Sequence, residues 1–231
     1  MKRDHPDVLD LSGAPAPLPA PAREVVAALA PLVTPARLAR MDAVIARRTR
    51  SLIPVLEGLS DPHNGAAVLR SADAFGCHEV HVIRGRYPFA VSHQVSRGTH
   101  RWLELVRHET TEACLDRLEA RGYRIYVASM EGSVTPEELG REPRAAIVMG
   151  NEHDGPSEVA RARAHGVYRI PMEGFVESLN VSVAAAITLY VATRGRHGDL
   201  DEEAREEIRA RFLMAQVRDS ERVVLEHVAR G

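Results

Sequence analysis

Three short stretches of this 231-residue chain set polar side chains where strands should end and helices begin. The first is Asp61-Pro62-His63-Asn64, which leads into residues 65–76. Asn64 suits a helix N-cap, and Pro62 helps to stop the strand before it. The helix that follows is small and apolar (Ala66, Ala67, Val68, Leu69, Ala72) except at Arg70, Ser71 and Asp73. Arg70 there is either a snorkelling partner of Asp73, three residues on, or a fixed guanidinium aimed at a phosphate. The second stretch is the apolar run 145–149, which stops at Gly150-Asn151-Glu152-His153-Asp154-Gly155-Pro156-Ser157. Two glycines and a proline let backbone approach a ligand at a strand's carboxyl end. An ordinary strand–turn–helix with acids in the first helical turn has the same residues. The third, residues 170–180, ends in Ser178 and Asn180 before the long apolar run 181–193. These are two alternative caps, or one cap and one polar group left for a ligand.

The elements that must position these groups follow from periodicity. Strands are expected at 52–56, 79–83, 103–106, 124–129, 145–149 and 167–171, with helices at 64–75, 111–121, 156–165 and 181–193. Strand–helix alternation implies an α/β domain with a mostly parallel sheet covered on both faces, and ligands bind at the carboxyl ends of its strands. Four segments result: a flexible Pro/Ala-rich arm at 1–21, basic helices at 22–50, the α/β domain at 51–198 and a charged helix at 199–231. That last helix runs from 201 to about 217, with a possible extension to 228.

With 45% hydrophobic and only 4% aromatic residues, the core must be built from Ala, Val, Leu and Ile. Cys77 and Cys114 form no CxxC, so neither a disulfide framework nor a thiolate metal site is implied. His78-Glu79-Val80-His81 lacks the HExxH spacing, and on a strand its histidines point to opposite faces, so no metal is expected. No apolar stretch is long enough to cross a bilayer, and Lys2 and Arg3 are followed by no signal-like apolar run. A cytoplasmic protein is expected. Neither GxGxxG nor GxxxxGK[ST] occurs, which disfavours nicotinamide or P-loop chemistry. Lys2 is the only lysine, so nearly all positive charge is guanidinium, suited to bidentate phosphate contacts. Arg37, Arg40, Arg47, Arg48 and Arg50 face one acid, Asp42, in residues 36–50, and five more arginines face Glu104 in residues 84–107. These are phosphate contacts or solvated helix faces.

In order and spacing, DPHNGAAVLRSADAFG, IVMGNEHDGPS and IPMEGFVESLNVSVAAAITLY resemble the three motifs of the SPOUT methyltransferase superfamily. Within it they resemble the TrmH family of RNA ribose 2′-O-methyltransferases, over roughly residues 34–196. Thr34-Pro35-Ala36-Arg37-Leu38-Ala39-Arg40 with Ala46-Arg47-Arg48 is similar to the N-terminal helix of the enzymes acting on guanosine 18 of the tRNA D-loop. The resemblance implies a parallel sheet with a C-terminal trefoil knot, a homodimer and S-adenosylmethionine as methyl donor, with tRNA as substrate and no membrane partner. It assigns catalysis to Arg70, Asn64, Glu152, Ser178 and Asn180. It assigns the donor to Ala128, Gly150, Ile170, Met172 and Leu179, and RNA contacts to Arg37, Arg40, Arg47, Arg48, His63 and Arg194, with Arg196 as a further candidate. A guanidinium is too weak an acid to serve as a base near neutrality, so Arg70 is read as phosphate anchor and alkoxide stabiliser. His153 stands where family members often carry lysine, and residues 1–33 are an addition. Ribosomal RNA as substrate, or a non-catalytic RNA-binding relative, are the rival expectations.

Overall fold

The computed structural model describes residues 8–11, 16–86, 89–151 and 153–230, apart from the His93 side chain. They divide into two compact units, one of residues 8–11 and Arg50–Arg196, the other of residues 16–49 and 197–230.

In the first unit, residues of the expected arm form a strand, β1 (Val8–Asp10), antiparallel to β4 (Ala90–Ser92). Six parallel strands make the main sheet: β2 (Leu52–Glu57), β3 (Glu79–Ile83), β5 (Glu104–His108), β6 (Arg124–Ala128), β7 (Ala145–Met149) and β8 (Gly166–Tyr168). Their order across the sheet is β5-β3-β2-β7-β6-β8. Every residue of β2, β3 and β7 is buried, which is why they read as continuous runs rather than alternating ones. Pro54 interrupts no ladder: β2 pairs with β3 only from Val55 onward. From β2 the chain steps outward through β3 to β5, whereas β7 lies on the other side with β6 and β8 beyond it. The strand order therefore reverses between β2 and β7, and their carboxyl ends open a crevice.

One face of the sheet is covered by α3 (Pro62–Ala74), α6 (Pro136–Arg141) and α8 (Val181–Thr193), through Leu69, Leu139 and Leu189. The other is covered by α5 (Thr111–Ala120) and α7 (Glu158–Arg163), through Leu115 and Ala160. A short α4 (His93–Ser96) follows β4. Several expected boundaries shift. β5 begins and ends later than 103–106, and β8 stops at Tyr168, leaving Arg169 and Ile170 to line a cavity instead. α3 starts two residues before Asn64, because Pro62 takes the first helical position and Asp61 caps it, accepting from the His63 N–H at 2.8 Å. α6, which the periodicity did not suggest, is a single short turn system fixed by a capping box between Thr135 and Glu138.

In the second unit, α1 (Ala22–Leu29) packs against α9 (Glu202–Gln216) and α10 (Ser220–Val228), and α2 (Pro35–Ile45) against α9. The helix from 201 does not continue to 228: it ends at Gln216, where Val217 turns extended, and α10 starts afresh after Asp219, at φ +51°. Arg48 is 1% exposed, so it is a buried residue and not a surface contact for RNA. Arg37, Arg40 and Arg47 are exposed, and Arg37 Nε donates to Gln216 Oε1 at 2.9 Å. No helix among the described residues is long and apolar enough to cross a membrane.

Candidate functional site

Two loops leave the carboxyl ends of β2 and β7 and are tied together at once. Glu57, the last residue of β2, is buried and accepts from the Ser157 N–H at 2.8 Å and the Ser157 hydroxyl at 2.7 Å. Asn151 Nδ2 donates to the Gly58 carbonyl at 2.9 Å, and its Oδ1 accepts from the His153 N–H. The β7 loop then closes on itself, with the Gly155 N–H donating to the Asn151 carbonyl at 2.9 Å. A Cβ on Gly150 would lie 2.0 Å from the Gly155 carbonyl carbon, so this turn admits only glycine. Gly155 itself has φ +68°.

Beside this turn lies a cavity of about 550 Å³, within the range of small-molecule sites. Ala128, Gly150, Ile170, Met172 and Leu179, drawn from three loops far apart in sequence, all line it, as do Ser178 and Asn180. Its walls are glycine backbone and apolar side chains, with charge concentrated at Asp154, Arg161 and Arg169. Arg161 is held in place, Nε donating to the Pro156 carbonyl at 3.0 Å. Burial pushes the phenol of Tyr168, on the cavity wall, above its ordinary range, so it stays a neutral hydroxyl.

Asn180 resolves the question of the two caps. Its Oδ1 accepts from the Ser182 N–H at 2.8 Å and caps α8, while its Nδ2 donates to Asn64 Oδ1 at 3.1 Å. Ser178 is exposed and lines the cavity without capping the helix. Because Asp61 caps α3, the Asn64 side chain is released from capping and reaches the cavity's edge through Asn180. We expect Asn180→Ala to cost about 1 kcal/mol for the cap alone, lowering the melting temperature by about 2–4 °C. A thermal melt of the two proteins checks this, and unchanged melting would remove Asn180 from the helix's support.

Arg70 stands apart. It is exposed, forms no ion pair with Asp73 and does not line the cavity. Its Nη1 donates to the Val95 carbonyl of α4 at 3.2 Å, which aims the guanidinium and leaves its other donors open among the described residues. His63 is exposed at the start of α3, paired with Asp61 at 3.2 Å, and also lies outside the cavity lining. Arg194 is exposed with its guanidinium over the Tyr190 ring, 5.7 Å from the centroid. Arg196 turns inward and fastens the end of α8, donating to the carbonyls of Ala192, Leu139 and Glu142, so it is no RNA contact. Arg50 and Arg84, counted with the basic clusters, are paired with Glu104 and Glu109. Arg107 turns onto the carbonyls of Leu11 and Leu105. Glu152 lies outside the described residues.

Sequence reasoning passed over Asn151, Arg161, Arg169 and Glu57. Asn151 lay inside the quoted IVMGNEHDGPS motif; the other three read as ordinary strand or helix charges.

Residues 51–190 match the model of the SpoU rRNA Methylase family. The chain is 37% identical over 164 residues to a tRNA (guanosine(18)-2′-O)-methyltransferase of Thermus thermophilus, covering 71% of this chain and 84% of that protein. It is 34% identical to the enzyme of that name from Escherichia coli, covering 71% and 72%. A 23S rRNA (guanosine-2′-O-)-methyltransferase of Xanthomonas campestris is 34% identical over 67% of this chain and 63% of its own length. Among solved structures, the A. aeolicus TrmH/SpoU tRNA modifying enzyme superposes with a TM-score of 0.71 at 28% identity, covering 79% of this chain and 98% of that one.

Proposed function

Because the chain belongs to the SpoU rRNA Methylase family, we propose that it transfers a methyl group from S-adenosylmethionine to the ribose 2′-hydroxyl of the D-loop guanosine 18 of tRNA. The observation that carries this reading is a glycine-walled cavity at the carboxyl ends of β6, β7 and β8, joined to Asn64 through Asn180, in a chain 37% identical to a relative of that name. The cavity suits the donor. Apolar Ile170, Met172 and Leu179 offer surface to a purine and a thioether, glycine backbone permits close approach, and Asp154, Arg161 and Arg169 provide opposite charges for an amino-acid end.

When bound, S-adenosylmethionine supplies an electrophilic methyl group on a sulfonium sulfur. The protein's own part is to hold the acceptor still and to favour charge on its oxygen. Positioning of this kind contributes up to about 7–11 kcal/mol in the best intramolecular cases. Ser178 and Asn180, at the cavity's edge, orient the ribose, and Asn64 braces Asn180. Arg70, tethered at one nitrogen, offers its remaining donors to a substrate phosphate and to the developing alkoxide. We assign the same ordering role as in the family to Glu152, in the β7 loop.

Within one chain Arg70 does not reach the cavity, and a homodimer supplies the missing geometry. α8 presents Val183, Ile187 and Tyr190 to solvent at helical spacing, an apolar stripe that a second copy can cover. α8 packs on α3, so a partner seated there brings its own cavity to the Arg70 helix. The return of the chain after β8 to lay α8 against both α3 and α6 is consistent with the family's trefoil knot. RNA contacts are assigned, in the second unit, to exposed Arg37 and Arg40 of α2 and Arg47 just beyond it, and, in the first, to His63 and Arg194.

The test is methyl incorporation into an unmodified tRNA transcript and, in parallel, into a 23S rRNA fragment. Labelling of the tRNA alone supports the reading. Labelling confined to the rRNA fragment replaces it with the activity named for the Xanthomonas relative, and donor binding with no transfer to either RNA replaces it with an RNA-binding role.

A further inference from the structure

On the face of the sheet covered by α5, three side chains that bind soft metal ions meet in the core. His81 is on β3, His108 ends β5 and Cys114 is in the first turn and a half of α5. The register pairs Ile83 with His108 and His81 with Val106, which sets the two imidazoles on neighbouring strands, two positions apart and on one face. His108 Nε2 lies 2.9 Å from His81 Nδ1, and Cys114 Sγ lies 3.6 Å from the same nitrogen. The ligand atoms of all three lie within 4.8 Å of one another, and the residues are 0%, 9% and 0% exposed for His81, His108 and Cys114.

What surrounds them fixes their chemistry. His81 Nε2 lies 2.6 Å from Glu79 Oε1, and Arg121 donates to both oxygens of that buried carboxylate. Glu79 accepts the Nε2 proton, so Nδ1 of His81 carries the lone pair and points toward His108 and Cys114. A carboxylate behind the imidazole is how metal-binding histidines are oriented and made more basic.

We propose that His81, His108 and Cys114 form a structural zinc site that fastens α5 to β3 and β5. Bonds of about 2.0–2.1 Å to nitrogen and about 2.3 Å to sulfur set tetrahedral ligands roughly 3.3–3.6 Å apart. The Cys114–His81 distance of 3.6 Å already matches, the two nitrogens need to part by a few tenths of an ångström, and Cys114 and His108, within 4.8 Å of each other, close on the ion as it binds. No fourth imidazole, thiol or carboxylate among the described residues joins the group, so the protein supplies three ligands and leaves the fourth position to a small ligand. On binding, Cys114 releases its thiol proton to solvent. His108 carries its proton on Nδ1, and three bonds to zinc, from His81 Nδ1, His108 Nε2 and Cys114 Sγ, replace the two contacts made to His81 Nδ1. The site is independent of the methyl-transfer reading.

The experiment uses the full chain, incubated with zinc and freed of unbound metal, then analysed for metal content. A parallel sample is loaded with cobalt and its absorption recorded. Stoichiometric zinc, a thiolate–cobalt charge-transfer band and a melting temperature that falls on chelation are expected. The band and the zinc should be lost in Cys114→Ala and His108→Ala and kept in Cys77→Ser, whose sulfur faces the other side of the sheet. Substoichiometric zinc with no thiolate–cobalt band in the folded wild-type chain overturns the proposal without recourse to any variant. So does zinc retained equally by Cys114→Ala.

Discussion

Arg70→Ala is expected to reduce methyl transfer by at least about 100-fold, the scale seen when one preorganised donor to a developing oxyanion is removed. Donor binding should stay close to wild type, because Arg70 does not line the cavity. Stability should change little as well: the side chain is exposed and, among the described residues, makes one hydrogen bond, to the Val95 carbonyl. Loss of turnover with intact binding and folding separates a group that acts on the acceptor from one that supports the fold. Arg70→Lys keeps the charge and loses the fork, so a partial activity is expected there. Single-turnover assays with saturating donor, alongside a donor titration, measure both quantities. Wild-type turnover in Arg70→Ala would leave the mechanism without its principal residue.

Gly150→Ala should weaken donor binding while leaving the sheet folded. Its Cβ would fall 2.0 Å from the Gly155 carbonyl carbon and 2.1 Å from the Pro156 nitrogen, and backbone cannot yield as a flexible side chain can. The closed turn from Asn151 to Gly155 must open, and with it one wall of the cavity. We expect affinity to fall by at least about tenfold, the equivalent of about 1.4 kcal/mol. Gly174→Ala is the control, since nothing lies within 4 Å of a Cβ at that position. Equilibrium binding of the donor to both variants decides the matter, and equal affinities would show that the cavity is not the donor site.

The sheet was legible because fully buried parallel strands are written as unbroken apolar runs, and the limits of β3 and β7 and of α8 follow directly from theirs. The cavity's loops were legible through glycine and proline at strand ends. Three things were not. Asn64 read as a cap because its residue type caps well, but Pro62 claims the first helical position and moves the cap to Asp61. Arg48 sits among exposed arginines in sequence, and only the folded structure shows it buried. His81, His108 and Cys114 are separated by 27 and 6 residues of chain, and parallel pairing with a crossover helix brings them together where no spacing rule applies. Local composition records which face a residue prefers. It does not record which distant residue shares that face.

The most direct test of the central claim is an alkaline cleavage ladder of tRNA after reaction with the protein and S-adenosylmethionine. A 2′-O-methyl group removes the internal nucleophile, so cleavage fails at that one nucleotide. A single gap at the D-loop guanosine 18, absent without the donor and absent with Arg70→Ala, is the predicted result. An unbroken ladder despite methyl incorporation, or a gap at another nucleotide, would contradict it.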